Sequence, residues 1–173
     1  YTEWLLRRFA EGYVLSLNPL FPNKVTRYEL TPEKVDCVVF CSKNYRPILP
    51  RLHEITSRFP TYFHYTITSY GRDVEPGVPS VSDSIQTLIA LSGQVGRQRV
   101  AWRYDPVLLT QAYPVARHLE AFEQMTEVLA PYIDRCIFSF VEMYRKLRVN
   151  MPELIPLTAQ DMEALAQGFG AIA

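Results

Sequence analysis

The chain has 173 residues, 48% of them apolar and 21% charged, the balance of a single globular domain long enough to bury its own core. Its 18 basic and 18 acidic side chains cancel, which argues against a dedicated binder of nucleic acid or of an anionic membrane surface. No apolar run approaches the roughly 20 residues needed to cross a bilayer, and three cysteines fit a reducing, cytoplasmic compartment rather than a disulfide framework.

In chain order, Thr2 to Glu11 reads as the tail of an amphipathic helix, with Leu5 and Phe9 on one face and Gly12 as its stop. Tyr13 to Leu17 reads as a short strand ending at Asn18-Pro19, and Lys24 to Leu30 as an antiparallel return. Val35 to Cys41 is apolar and β-branched, as in a strand buried on both faces. Pro47 opens a predicted helix whose Ile48, Leu52, Ile55 and Phe59 fall on one stripe. Tyr62 to Thr68 is the next strand, and a helix capped by Ser80 or Ser82 carries Val81, Ile85, Leu88, Ile89 and Val95 inward before Gly96. Arg99 to Tyr104 is a strand closed by Asp105-Pro106. A helix from Pro114 to Tyr132 aligns Leu119, Phe122, Met125 and Leu129. Cys136 to Val141 is a further strand, and Thr158 caps a last helix with Asp161 three residues on.

Strands alternating with helices predict an α/β fold of repeated βα units, with parallel strands and outer helices. The expected architecture is a single domain over residues 1–173 that forms part of a (β/α) TIM-type barrel. Because the chain opens inside one helix and runs out inside another, strands are expected to be missing at both ends.

Such folds bind ligands beyond the carboxyl ends of their strands. The polar residues there are Asn18; Ser42, Lys43 and Asn44; Thr68, Ser69 and Tyr70; Arg103 and Asp105; and Ser139, Glu142 and Tyr144. Lys43 is a candidate base or anion clamp, Asp105 a partner to Arg103, and Glu142 a candidate general base. These three form the expected catalytic set, and Asn18, Asn44, Thr68, Tyr70 and Arg103 the expected substrate contacts. His53 and His118 are expected to serve packing or surface roles, and His64 packing within its strand. Cys37 and Cys41, four apart along a strand, would lie roughly 13 Å from each other, so buried structural cysteines are expected rather than a metal pair. No metal motif, Ser/His/Asp spacing or phosphate-cradling glycine loop is present.

Several segments carry a family resemblance: Glu11-Gly12-Tyr13-Val14, Val25-Thr26-Arg27-Tyr28, Ser42-Lys43-Asn44, Thr66-Ile67-Thr68-Ser69-Tyr70-Gly71, Trp102-Arg103-Tyr104-Asp105-Pro106 and Ser139-Phe140-Val141. In this order they resemble the DUF1848 family, a bacterial domain of unknown function, over essentially the whole chain. The resemblance implies that intact members are longer. It also implies a cysteine cluster similar to that of radical S-adenosylmethionine enzymes, hence an iron–sulfur cluster and S-adenosylmethionine in the intact protein. No cofactor ligand carries over to Cys37, Cys41 or Cys136. The leading expectation is a barrel enzyme with its pocket at the strand ends. The alternative is a non-catalytic module in which Lys43, Arg103 and Tyr70 hold a small anion. A nucleic-acid-processing enzyme ranks last, given zero net charge.

Overall fold

The computed structural model describes residues 1–173, the side chain of Pro22 excepted. Helix α1 spans Thr2–Glu11 and buries Leu6 and Phe9. It stops at Gly12, whose φ of 77° lies in the left-handed region that a Cβ disfavours and whose N–H donates to the Arg8 carbonyl. Strands β1 (Tyr13–Asn18) and β2 (Phe21–Glu29) follow and pair antiparallel. The Asn18 carboxamide oxygen closes the turn, accepting from the N–H groups of Leu20 and Phe21 at 2.9 and 3.3 Å. The antiparallel return is as expected, but β1 is not the first strand of the parallel sheet. A turn this tight leaves no length for a crossover, so the two strands form a sheet of their own.

The main sheet is parallel and four-stranded: β3 (Val38–Ser42), β4 (Thr61–Thr66), β5 (Val100–Val107) and β6 (Arg135–Phe140). Its spatial order is β3-β4-β5-β6, the order of the chain. A doubly wound sheet would reverse this order at a switch point. The strands do not close on themselves, however. Within residues 1–173 the expected barrel is an open sheet with β3 and β6 at its edges, because closure would take twice as many strands.

Each crossover carries helix. The continuous helix expected after Pro47 is instead a 3₁₀ turn, Leu49–Arg51, running into a short α2, His53–Thr56. Pro47 and Pro50, three residues apart, withhold N–H donors from this stretch. Its predicted stripe is nevertheless buried, with Ile48, Leu52, Ile55 and Phe59 all in the core. Helix α3 (Val81–Val95) begins at Ser80, whose hydroxyl accepts from the Asp83 N–H. Helix α4 (Val115–Leu129) buries Phe122, Met125 and Leu129, and also His118, which is absent from the predicted stripe. After the short α5 (Arg145–Asn150), helix α6 (Ala159–Ile172) is closed by a full capping box between Thr158 and Asp161. It lies against α4 with Gly168 facing Leu119, whose methyl a Cβ at that position would strike.

One apolar core holds the sheet to its helices. Phe63, Tyr65, Trp102 and Tyr104 project from the strands into it, meeting Leu88 and Leu91 of α3, Phe122 of α4, and Leu165 and Phe169 of α6. The opposite face shows Val39, Cys41, Tyr62, His64, Thr66, Arg103, Arg135 and Ser139, each half-buried or exposed. Parallel sheets are ordinarily covered on both faces, so this one-sided covering is a distinctive feature. It also corrects the cysteine reading: Cys41 and Cys37 are exposed, and only Cys136 turns towards the core. Alternation along β3 puts Cys41 on the uncovered face, and Cys37 precedes the strand.

Candidate functional site

Strand alternation, continued past the strand ends, brings Lys43, Thr68, Arg103, Asp105 and Ser139 to the uncovered side of the sheet at its carboxyl edge. They fall into two groups of the same make-up. In the first, Lys43 Nζ donates to Glu75 Oε1 at 2.6 Å, and Thr68 Oγ1 donates to Glu75 Oε2 at 2.9 Å. The Lys43 and Glu75 side chains are 34% and 15% exposed, a setting in which an ion pair is less screened than at the open surface. In the second, Asp105 accepts from the Arg103 guanidinium and from the Ser139 hydroxyl. Each group is thus a carboxylate bridging a cation and a hydroxyl.

Two buried nitrogens border the second group without a hydrogen-bond partner: Arg103 Nε and His64 Nδ1. Burial pushes the His64 imidazole below its ordinary value, and the nearby positive charges of Arg103 and Arg135 push the same way. His64 is therefore held neutral and able to accept a proton or a hydrogen bond.

The remaining predicted site residues lie elsewhere. Asn18 is at the hairpin turn, outside the parallel sheet, with its side-chain oxygen used by the turn. The Asn44 side chain is exposed and accepts from the Arg46 N–H at 3.0 Å. The Tyr70 hydroxyl donates to the Pro106 carbonyl at 2.9 Å and accepts from the Leu108 N–H at 2.8 Å, stapling the loop after β4 to the end of β5. Glu142 is exposed beyond β6. Of the eight predicted residues Tyr70 lines a cavity of about 420 Å³, and the other seven line none of four further cavities of about 230 to 470 Å³.

Sequence reasoning missed Glu75, which joins the ends of β3 and β4. Its only sequence signal is an acidic residue inside the loop between Tyr70 and Pro79. It also missed a second polar line on the helix side of the sheet. The Ser69 hydroxyl lies 2.8 Å from the Tyr104 hydroxyl, Tyr104 lies 2.8 Å from His118 Nδ1, and His118 Nε2 lies 2.8 Å from the Leu108 carbonyl. Burial lowers the proton affinity of His118, and Arg117 adds to the effect, while the Leu108 carbonyl opposes it. Burial raises the Tyr104 phenol to about 12.

His118 and His64 make the fold sensitive to mild acid. Both bind a proton less readily folded than unfolded, so the unfolded chain takes up more protons as pH falls through the ordinary histidine range. Their stabilising contribution is complete above about pH 6.5 and is lost below it. Urea midpoints should fall between pH 7.5 and 5.5, before carboxylates titrate. His118→Gln should be less stable at pH 7.5 but show a flatter slope. A midpoint constant over that interval would contradict the assignment.

The fold and site define a class: an open parallel α/β unit with polar side chains gathered at the carboxyl edge of its strands. Within that class, residues 1–173 match the family described as a domain of unknown function (DUF1848), and the chain belongs to it. No curated protein and no solved structure matches the chain.

Proposed function

We propose that the carboxyl edge of the sheet is the substrate-binding mouth of a barrel-type enzyme acting on a small polar or anionic molecule. The reading is carried by the repeated grouping at that edge, Lys43–Glu75–Thr68 and Arg103–Asp105–Ser139. Buried or half-buried ionic groups are costly unless they serve a purpose beyond stability, and here two sit where parallel folds bind ligands. The chain-order progression of the strands further supports a barrel, completed by strands outside these residues.

In this reading Lys43 and Arg103 hold the anionic part of the substrate, exchanging part of their bonding to Glu75 and Asp105 for bonds to it. Asp105 and Glu75 are then freed to accept a proton from a substrate hydroxyl or a water. Glu142, exposed beyond β6 and outside both groups, has no part in this reading.

The iron–sulfur cluster and S-adenosylmethionine implied by the resemblance find no ligand set in this chain. Cys37 and Cys41 are exposed near β3, Cys136 faces the core from β6, and no three candidate ligand side chains gather among the described residues. Any such cluster would take its ligands from other segments.

The alternative reading, a non-catalytic anion-binding module, rests on the same two cations. Titration of inorganic phosphate and of malonate into isotopically labelled protein, followed by amide shifts, tests both. Shifts should centre on Lys43, Thr68 and Arg103, and Arg103→Ala should weaken binding at least tenfold, on the order of 1.4 kcal/mol. Affinity unchanged by Arg103→Ala would remove the mouth from consideration.

A further inference from the structure

The three-residue line on the helix side of the sheet has a defined direction. The Leu108 carbonyl can only accept, so His118 Nε2 carries the proton and donates to it at 2.8 Å. Nδ1 is then an acceptor, and the Tyr104 hydroxyl donates to it at 2.8 Å. With its hydrogen committed, the Tyr104 oxygen accepts at 2.8 Å from the Ser69 hydroxyl. The Ser69 proton therefore points inward, and the lone pairs of Ser69 Oγ are left facing outward.

Tyr104 and His118 are wholly buried, and Ser69 is the half-exposed end of the line. It lines two adjoining cavities of about 420 and 330 Å³, between the loop after β4, the start of α3 and the outer face of α4. Arg117 lines both cavities as well, and Arg72 lines the larger. Tyr104 and His118 could satisfy each other without a third member. Ser69 adds a route from that pair to a space large enough for a small molecule.

We propose that Ser69 is a nucleophilic hydroxyl at this second site, served by His118 through Tyr104, and that it accepts an acyl group from activated esters or thioesters. The Ser69 oxygen forms a bond to the acyl carbon. Its proton passes to the Tyr104 oxygen as the Tyr104 proton passes to His118 Nδ1. The carbonyl oxygen takes up the electron pair in the space that Arg117 lines, its guanidinium resting on the Ala112 carbonyl and the Tyr113 ring, then returns it as the bond to the leaving alkoxide or thiolate breaks. His118 gives up its extra proton along the same line, to the leaving group or to solvent. The charged and titratable groups around His118 are Tyr104 from β5, Tyr70 from the loop after β4, and Arg117 from its own helix. Burial and Arg117 keep the imidazole neutral, the state in which it accepts a proton.

Ser69 itself lies on the helix side of the sheet, although Glu75 of the mouth also lines the larger cavity; the readouts differ, acyl transfer to Ser69 here and anion binding at Arg103 there, so failure of either test leaves the other standing. The experiment treats the whole chain with p-nitrophenyl acetate, follows p-nitrophenolate release and maps the acetyl group by peptide mass spectrometry. One acetyl group per chain is expected on Ser69. Ser69→Ala should remove it and Ser69→Cys should restore acylation at that position. Tyr104→Phe, which keeps the ring in the core, should slow it by about 100-fold or more, the usual worth of general-base assistance. The rate should level off with rising pH once His118 is neutral. Acetyl groups confined to lysines, a Tyr104→Phe rate equal to wild type, or a rate strictly proportional to hydroxide would each overturn the proposal.

Discussion

Phe122→Ala should destabilise the fold by about 3–5 kcal/mol, the range for deleting a buried phenyl ring. Phe122 is 1% exposed. It stacks on Phe169 of α6 at 4.2 Å and on Trp102 of β5 at 4.9 Å, and meets Tyr104 edge-on at 5.6 Å. The ring joins three elements at once, so no single neighbour can move in to fill the space. Urea unfolding monitored by circular dichroism measures the loss. Val128→Ala is the control: the same helix carries it at 43% exposure, where substitutions usually stay within about 0.5 kcal/mol. A Phe122→Ala loss below about 1 kcal/mol would mean that α6 does not pack as described.

Glu75→Ala should cost about 2–3 kcal/mol, more than a surface ion pair would suggest. The reason is Thr68, whose residue is 5% exposed and whose hydroxyl would lose its acceptor. Thr68→Val removes the hydroxyl and should cost less. The double variant should cost less than the sum of the two, by about 0.5–2 kcal/mol, since Glu75→Ala then leaves no stranded hydroxyl. Strict additivity across this cycle would show that the contact is not maintained in solution. Lys43→Met, in the same background, separates the cation's share from that of the hydroxyl.

Local rules made much of this chain legible. Period-two and period-3.6 patterns located β4, β5, β6, α3, α4 and α6, and the capping signals at Ser80 and Thr158 and the stop at Gly12 are all used. What local rules could not supply is partnership. Tyr13 to Leu17 has the composition of any strand, and only the short turn after Asn18 decides that its neighbour is β2 and not β3. For His118 the sequence leaves packing and surface roles open, because a polar side chain does not mark an apolar stripe. Its burial depends on Tyr104 and the Leu108 carbonyl, which come from another element. Glu75 shows the same thing at the mouth, where its two partners stand 32 and 7 residues away in sequence. Lys43, Thr68, Arg103 and Asp105 could be placed on one edge of the sheet from strand alternation alone. Asn18 could not, because its strand belongs to a different sheet.

The loop from Tyr70 to Pro79 is fastened by side chains rather than by strand or helix: Tyr70 anchors it to β5, Tyr113 accepts from the Gly71 N–H and donates to Asp73, and Glu75 ties it to Lys43 and Thr68. None of the buried aromatic packing between Trp102, Phe122 and Phe169 runs through it. A graft that exchanges residues 71–79 for another sequence would therefore leave the central packing intact only if it kept carboxylates at both 73 and 75, the acceptors that Tyr113, Lys43 and Thr68 require.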